Sequence, residues 1–158
     1  MQTLELPAGE SMNARIPILK VDGFLIASIQ VALDDSSIVE FQQDLLARVS
    51  EENTSGVVID ITAVDLVDSF MARSLNDTAV AVHLLGAHLA VVGIQPHVAM
   101  TLVEMGLTIP NAVMALNLEK GLELLREKTT KHPRRRAADS PSHAGDDRVE
   151  STEETRDA

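Results

Sequence analysis

Two apolar runs of strand length most constrain the fold of this chain. Residues 56–61 and 87–94 are almost continuously apolar and lack the alternation typical of a strand with one solvent face. Strands of this kind are buried on both faces, so helices must cover both sides of their sheet. Segments with helical spacing follow both runs, and helical crossovers join parallel strands. The sequence therefore predicts an α/β domain with a mostly parallel sheet.

An antiparallel strand pair is predicted at the start of the domain. The apolar runs 16–21 and 24–31 are separated by Asp22-Gly23, a strong signal for a tight hairpin because both residues tolerate positive φ. A short apolar run over 112–116 has the length of an edge strand. We therefore expect four to five strands, of which the first is antiparallel.

About four helices are predicted between and after these strands. Ser37 and Glu40 have the spacing of a capping box and predict the start of the first helix. The second helix covers 69–85, the third begins at Pro96, and Asn117 caps the last. The predicted element order is ββαβαβαβα.

Composition divides the chain into three parts. Residues 129–158 lose almost every large apolar side chain and gain Pro, Ser and charge, so they cannot bury enough surface to offset the entropy of ordering. We expect an N-terminal extension over 1–15, one folded domain over 16–128 and a disordered polar tail over 129–158. The basic run Arg134–Arg136 is interpreted as solvated charge, although attraction to an acidic surface is the alternative.

The charge of the chain argues against nucleic-acid binding. The formal net charge is -11, with three Phe and no Tyr or Trp, so there is neither an attractive field for phosphate nor a stacking platform for bases. The chain has no cysteine, no signal-peptide pattern and no apolar run long enough to cross a membrane. We expect a cytoplasmic protein that binds no membrane and no cofactor.

The loop after the central strand is the best candidate for a functional site, because ligand and partner sites of open α/β sheets gather at the carboxyl ends of strands. Ser69 lies there at the start of a helix, preceded by Asp65 and Asp68. A phosphate on Ser69 would meet the free amides and positive dipole end of the helix, whereas the two carboxylates would repel it. The simpler alternative is that Ser69 or Asp68 only caps the helix.

Enzymatic and metal sites are less well supported. A nucleophilic Ser69 would need His97 as its base, since His83 lies far along the same helix, and the glycines of a nucleophile elbow are absent. The carboxylates of Asp60, Asp65 and Asp68 lack the spacing of a receiver-type cation site. We therefore predict no enzyme and no metal site.

Phe70 shares a helix face with Arg73 and Asp77, which places an aromatic ring beside Ser69 on the predicted solvent side. Such a ring suggests a docking contact, and packing under a loop is the alternative. We expect the partner-binding surface to include Thr62, Asp65, Asp68, Phe70, Met71 and Arg73.

Between residue 16 and about residue 128 the chain contains, in this order, the segments I-P-I-L-K, L-D-D, G-V-V-I-D-I-T, V-D-L-V-D-S-F, G-I-Q-P and L-V-E-M-G. With these segments the domain resembles the STAS-domain antagonists of the bacterial stressosome, of the RsbS type. It implies a scaffold protein that self-associates in a large complex with RsbR-type paralogues and holds an RsbT-type switch kinase inactive. The kinase would phosphorylate Ser69 and depart, and an RsbX-type phosphatase would reset the site.

The resemblance also implies a role for Asp35. RsbR-type paralogues carry a second phosphorylated residue, a threonine, at the start of their first helix, and Asp35 matches its position, so an acid here would supply a permanent partial mimic of that phosphate. Within the same fold, the competing interpretation is an anti-anti-sigma factor that binds an anti-sigma kinase directly. A small hydrolase using Ser69 and His97 is the third.

Overall fold

A five-stranded mixed sheet with helices on both faces forms the fold. The computed structural model describes residues 15–131. Strand order follows chain order, β1 is antiparallel to β2, and the remaining neighbours are parallel. The elements are β1 Ile18–Val21, β2 Phe24–Ser28, α1 Asp35–Glu51, β3 Gly56–Asp60, α2 Ser69–Leu84, β4 His88–Val92, α3 Pro96–Glu104, β5 Ala112–Ala115 and α4 Leu118–Lys131. The predicted order and the antiparallel first strand are confirmed.

The central strands are buried on both faces, as their continuous apolar sequence predicts. Val57, Val58 and Ile59 have no exposed surface. Because successive side chains of a strand point to opposite faces, Val57 and Ile59 enter the larger core beneath α1, α2 and α3, whereas Val58 enters the smaller core beneath α4. The helices on both sides account for the lack of alternation.

Close backbone packing brings α4 onto the sheet. A Cβ atom on Gly121 would lie 2.5 Å from Cγ1 of Val92, so a larger residue could not occupy this position without displacing the helix. One turn later, Leu125 is fully buried against Phe24 and Val58. The apolar stripe of α4 is therefore fixed over the middle of the sheet.

The hairpin between β1 and β2 has the predicted turn. Asp22 and Gly23 have φ values of 51° and 84°, and the two strands pair directly through Val21 and Phe24. Both central residues have positive φ, as a type I′ turn requires, and this turn matches the twist of antiparallel strands.

Two predicted boundaries are wrong. Helix α1 is capped by Asp34, whose Oδ1 accepts the amide of Ser37 at 2.7 Å, so the helix begins before the predicted capping box. Helix α4 continues to Lys131, past the domain boundary expected at residue 128. Its last turn is polar and basic, which suits a helix C-terminus although it adds nothing to the core. The expected extension over residues 1–14 and the tail from residue 132 lie outside the described residues.

Among residues 15–131, no helix is both long enough and apolar enough to cross a membrane.

Candidate functional site

The loop between β3 and α2 is held in one conformation by its own residues. Val64 and Val67 are buried, with 2% of their surface exposed, and anchor the loop in the larger core. At its start, Asp60 Oδ1 accepts the Thr62 amide at 2.9 Å and the Thr62 hydroxyl at 2.5 Å. Between the two valines, Leu66 points outward with 71% of its surface exposed. The loop is therefore ordered, and it presents an apolar side chain to solvent.

Residues that follow β4 also hold the loop between β3 and α2 in place. Gln95 Nε2 donates to the Thr62 carbonyl oxygen at 2.8 Å and to Asp65 Oδ1 at 3.3 Å. His97 Nε2 lies 2.8 Å from the Asp65 carbonyl oxygen. These contacts join residues that are 30 to 33 positions apart in sequence, because parallel strands bring their carboxyl ends to the same edge of a sheet.

Gly93 allows the two loops to approach closely. Its φ is +77°, in the left-handed region that favours glycine, and a Cβ there would lie 2.0 Å from Thr62 Oγ1. Sequence reasoning missed this role of Gly93 and the clamp formed by Gln95. A glycine directly after a buried strand was the available signal, but its partner, Thr62, is identified only by the folded arrangement.

Of the two residues that could cap helix α2, Asp68 is the one that does. Asp68 has extended backbone, and its Oδ1 accepts the Met71 amide at 2.8 Å. Ser69 is the first residue of the helix and is exposed. Its hydroxyl makes no hydrogen bond to any residue within 15–131. The serine therefore does no capping work.

The predicted partner-binding residues do not all reach the surface. Phe70 has 37% of its surface exposed, and Arg73 is exposed without an ion-pair partner in the described part of the chain. Thr62, Asp65 and Asp68 are also exposed. Met71 is only 5% exposed and packs in the larger core, so its predicted part in a docking surface is wrong. Its place on the apolar stripe of α2 explains the burial.

Asp35 and Ser69 occupy equivalent positions in neighbouring helices. Each is the first residue of a helix that follows a parallel strand, so both lie toward the carboxyl edge of the sheet. Helices α1 and α2 pack against each other on the same face. The side chain of Asp35 is exposed.

The hydrolase interpretation gains no geometric support. His83 lies in the last turn of the helix that Ser69 begins, and no hydrogen bond joins Ser69 to His97 among residues 15–131. His97 is held instead against the Asp65 carbonyl. In that same part of the chain, no group of three or more His, Cys, Asp or Glu side chains is arranged to hold a metal ion.

A family model and two sequence relatives match this chain. The model of the STAS domain matches residues 15–118. The RsbT co-antagonist protein RsbRA of Bacillus subtilis (strain 168) is 28% identical over 114 residues, covering 72% of this chain and 42% of the relative. RsbRD of the same organism is 28% identical over 107 residues, covering 67% of this chain and 38% of the relative. The chain thus spans about two fifths of these relatives.

Solved structures agree with the sequence matches. A serine-to-glutamate variant of Moorella thermoacetica RsbS is 40% identical, with a TM-score of 0.66, and the match covers 73% of this chain and 98% of that one. A structure of the stressosome, described as a signal integration and transduction hub, contains a chain that is 42% identical, with a TM-score of 0.63 and coverages of 72% and 98%. On the fold and these matches together, the chain belongs to the STAS-domain family.

Proposed function

We propose that this chain is a non-enzymatic, phosphorylation-regulated scaffold of a stressosome, which sequesters an RsbT-type switch kinase and releases it when Ser69 is phosphorylated. Its similarity to RsbS, to a chain of the stressosome and to the RsbT co-antagonists supports a regulatory role of the stressosome or anti-sigma type. RsbR-type paralogues and further copies of the chain would complete the assembly, and an RsbX-type phosphatase would reset it.

The observation that carries the proposal is the position of Ser69. Ser69 is exposed and its hydroxyl bonds to no residue of the described range 15–131, while the adjacent Asp68 caps the helix. A kinase can therefore reach the residue, and modifying it removes no hydrogen bond among the described residues. The solved RsbS relative is itself a serine-to-glutamate variant, a substitution that adds negative charge in place of a hydroxyl.

A phosphate on Ser69 would act through local electrostatics. The first amides of α2 and its positive dipole end favour a dianion, whereas the carboxylates of Asp65 and Asp68 repel it. Since these effects oppose one another and the loop is clamped by Gln95 and His97, the helix stays folded. The phosphate then changes the charge of the surface that a partner contacts.

The surface around Ser69 has the composition of a docking site. Leu66 and Phe70 offer apolar contact, and Arg73 offers a cation without an ion-pair partner in the described part of the chain. Aromatic and arginine side chains are enriched among residues that dominate binding energy. We infer that the kinase contacts Phe70 and Arg73 and that phosphorylation between Asp68 and Phe70 weakens this contact.

A reconstitution tests the proposal. The chain is combined with an RsbR-type paralogue and an RsbT-type kinase from the same genome, supplied with ATP, and analysed by intact mass, peptide sequencing and size-exclusion chromatography. We expect one phosphate on Ser69 and loss of kinase from a large particle. Ser69→Ala should block both, whereas Ser50→Ala, a matched change at an exposed serine of α1, should block neither.

The outcomes separate the proposal from its competitor. Phosphorylation without kinase release contradicts the switch. Phosphorylation of an isolated small chain by an anti-sigma kinase, with no large particle formed, identifies an anti-anti-sigma factor instead.

A further inference from the structure

One continuous part of this acidic chain is almost free of charge. Residues 78–118 contain a single Asp, Glu, Lys or Arg, which is Glu104, although 23% of the whole chain is charged. This part comprises most of α2, then β4, α3 and β5. Because α3 connects β4 to β5 and β5 ends the sheet, the α3 face of this edge is nearly free of charge, whereas the charged helix α4 packs against β5 on the other face.

This side exposes large apolar residues. On α3, Met100 and Val103 have 59% and 72% of their surface exposed. On and just after β5, Met114 and Leu116 have 44% and 82% exposed. We refer to these four residues as the β5-edge patch. Single exposed apolar residues are ordinary, but a group of them within a segment that carries one charge indicates an interaction surface.

Val103 and Met114 lie on the same side of the sheet edge. His97 of α3 faces the loop between β3 and α2, since its ring contacts the Asp65 carbonyl, and Val103 lies on the other flank of the helix at about 100° per residue, toward β5. Met114 pairs in register with Val91, whose side chain enters the core beneath α1, α2 and α3, so Met114 lies on the α3 face of β5. Leu116 directly follows the end of β5 and is exposed.

The backbone of β5 is open along its outer edge. In the described part of the chain β5 pairs with β4 alone, and the Ala115 carbonyl points toward β4, where it accepts the Gly93 amide at 3.3 Å. By the alternation of a strand, the amide and carbonyl of Met114 point outward. Open edges of this kind are templates for pairing with another chain.

The other edge strand is protected, which makes the openness of β5 distinctive. On β1, Lys20 forms an ion pair with Glu52 at 3.7 Å, and the Arg48 guanidinium donates to the Ile18 carbonyl. Charged side chains on an edge strand are a common defence against edge pairing. Strand β5, Ala112–Ala115, has no charged residue.

We propose that the β5 edge pairs antiparallel with the β5 edge of a second copy of this chain, around a two-fold axis at Met114. In this register Met114 faces its counterpart and Ala112 faces Leu116, so the outward backbone groups of the two strands bond to each other. Two β5-edge patches then cover one another. This pairing would provide one of the contacts of the proposed scaffold. Its biological role, but not its formation, rests on the proposed function.

Charge favours a second copy as the occupant. Copies with a net charge of -11 repel each other over most of their surfaces, so they associate best where that charge is lacking. The β5 edge provides such a surface, and antiparallel pairing of identical strands is self-complementary. An oppositely charged partner would gain nothing at this edge.

Sedimentation velocity of the full chain from about 1 to 500 µM tests the pairing. We expect a concentration-dependent dimer whose dissociation constant rises at least tenfold in Met114→Glu. Leu19→Glu is the matched control, because Leu19 is exposed on the other edge strand and the change alters net charge equally. It should leave the dimer within twofold. A monomer at every concentration, or equal effects of the two variants, overturns the proposal.

A cysteine cross-link provides an independent reading. The chain contains no cysteine, so Met114→Cys introduces a single thiol. Directly opposed residues of a hydrogen-bonded antiparallel pair lie about 5.5 Å apart at Cα, within the range a disulfide spans. We expect Met114→Cys to form a covalent dimer under mild oxidation at least tenfold faster than Leu19→Cys. Equal rates overturn the proposal.

These readings are independent of the phosphorylation switch. A Ser69→Ala chain should dimerise as the native chain does. If the native chain dimerises but is not phosphorylated, only the proposed function is contradicted. Phosphorylation and kinase release by a strictly monomeric chain contradict only the pairing.

Discussion

Gly93 and Thr62 approach so closely that one added methyl group would overlap the threonine side chain. The hypothetical Cβ of residue 93 lies 2.0 Å from Thr62 Oγ1 and 2.9 Å from Thr62 Cβ. Thr62 is in turn bound to Asp60 and, through its carbonyl, to Gln95. The position of the loop that presents Ser69 therefore depends on the residues that follow β4 as well as on the sequence of the loop itself.

Gly93→Ala should destabilise the domain by about 2–4 kcal/mol, because overlap with Thr62 adds to the cost of a positive φ. Gly106→Ala is the matched control, since Gly106 also has positive φ but a Cβ there meets nothing within 4 Å. It should cost only about 1–2 kcal/mol. Urea unfolding measures both values. Equal losses would contradict the importance of the Thr62 contact.

Asp68→Ala should lower the free energy of unfolding by about 1 kcal/mol, because the Met71 amide loses its capping acceptor. Ser69→Ala should change it by less than about 0.5 kcal/mol, since the hydroxyl supports nothing in the described fold. Denaturant titration of the two variants checks the contrast. A larger loss for Ser69→Ala would return the capping role to the serine and weaken the case for a free switch hydroxyl.

Stability should fall in acid partly through Asp34. Hydrogen bonds from the Ser37 side chain, the Ser37 amide and the Ser36 hydroxyl hold the pKa of Asp34 below its ordinary value of 3.8. A depressed pKa contributes stability that is present above the ordinary value and is lost as the pH falls through the folded-state pKa. Thermal unfolding of the native chain and Asp34→Asn between pH 7 and 2 should therefore converge at low pH. A constant difference in melting temperature would contradict this linkage.

Asp35→Ala should weaken retention of the switch kinase if the acid mimics a phosphate at the start of α1. Asp35 and Ser69 begin neighbouring helices at the same edge of the sheet, so a partner seated on one helix start is near the other. Pull-down of the kinase in the reconstituted complex measures retention, with Asp44→Ala, an exposed acid farther along α1, as the control. If Asp35→Ala retains the kinase as well as the native chain does, the hypothesis that Asp35 mimics a phosphate is wrong.

Much of the fold follows from local patterns. The hairpin depends on Asp22-Gly23, and the doubly buried strand depends on Val57, Val58 and Ile59, so neighbouring residues alone indicate the structure. The start of α1 was less certain from sequence, because several consecutive residues can cap a helix and only backbone geometry selects Asp34.

The candidate site was only partly predictable. Ser69 and Asp68 are adjacent in sequence and their placement at a helix start follows from the apolar pattern. The contacts of Gln95 and His97 with the loop between β3 and α2 depend on how two strand ends meet, which no local pattern encodes. Burial of Met71 was implied by helical spacing, yet its nearness to Ser69 in sequence suggested surface contact.

The Ser69 hydroxyl, which bonds to no described residue, also bears on how fast the proposed phosphorylation and its removal could occur. Because no bond of the described fold must break for an enzyme to reach it, neither step would wait for local unfolding. The pace of such a switch would be set by its enzymes and by partner dissociation, and the domain would survive many cycles without passing through an aggregation-prone open state.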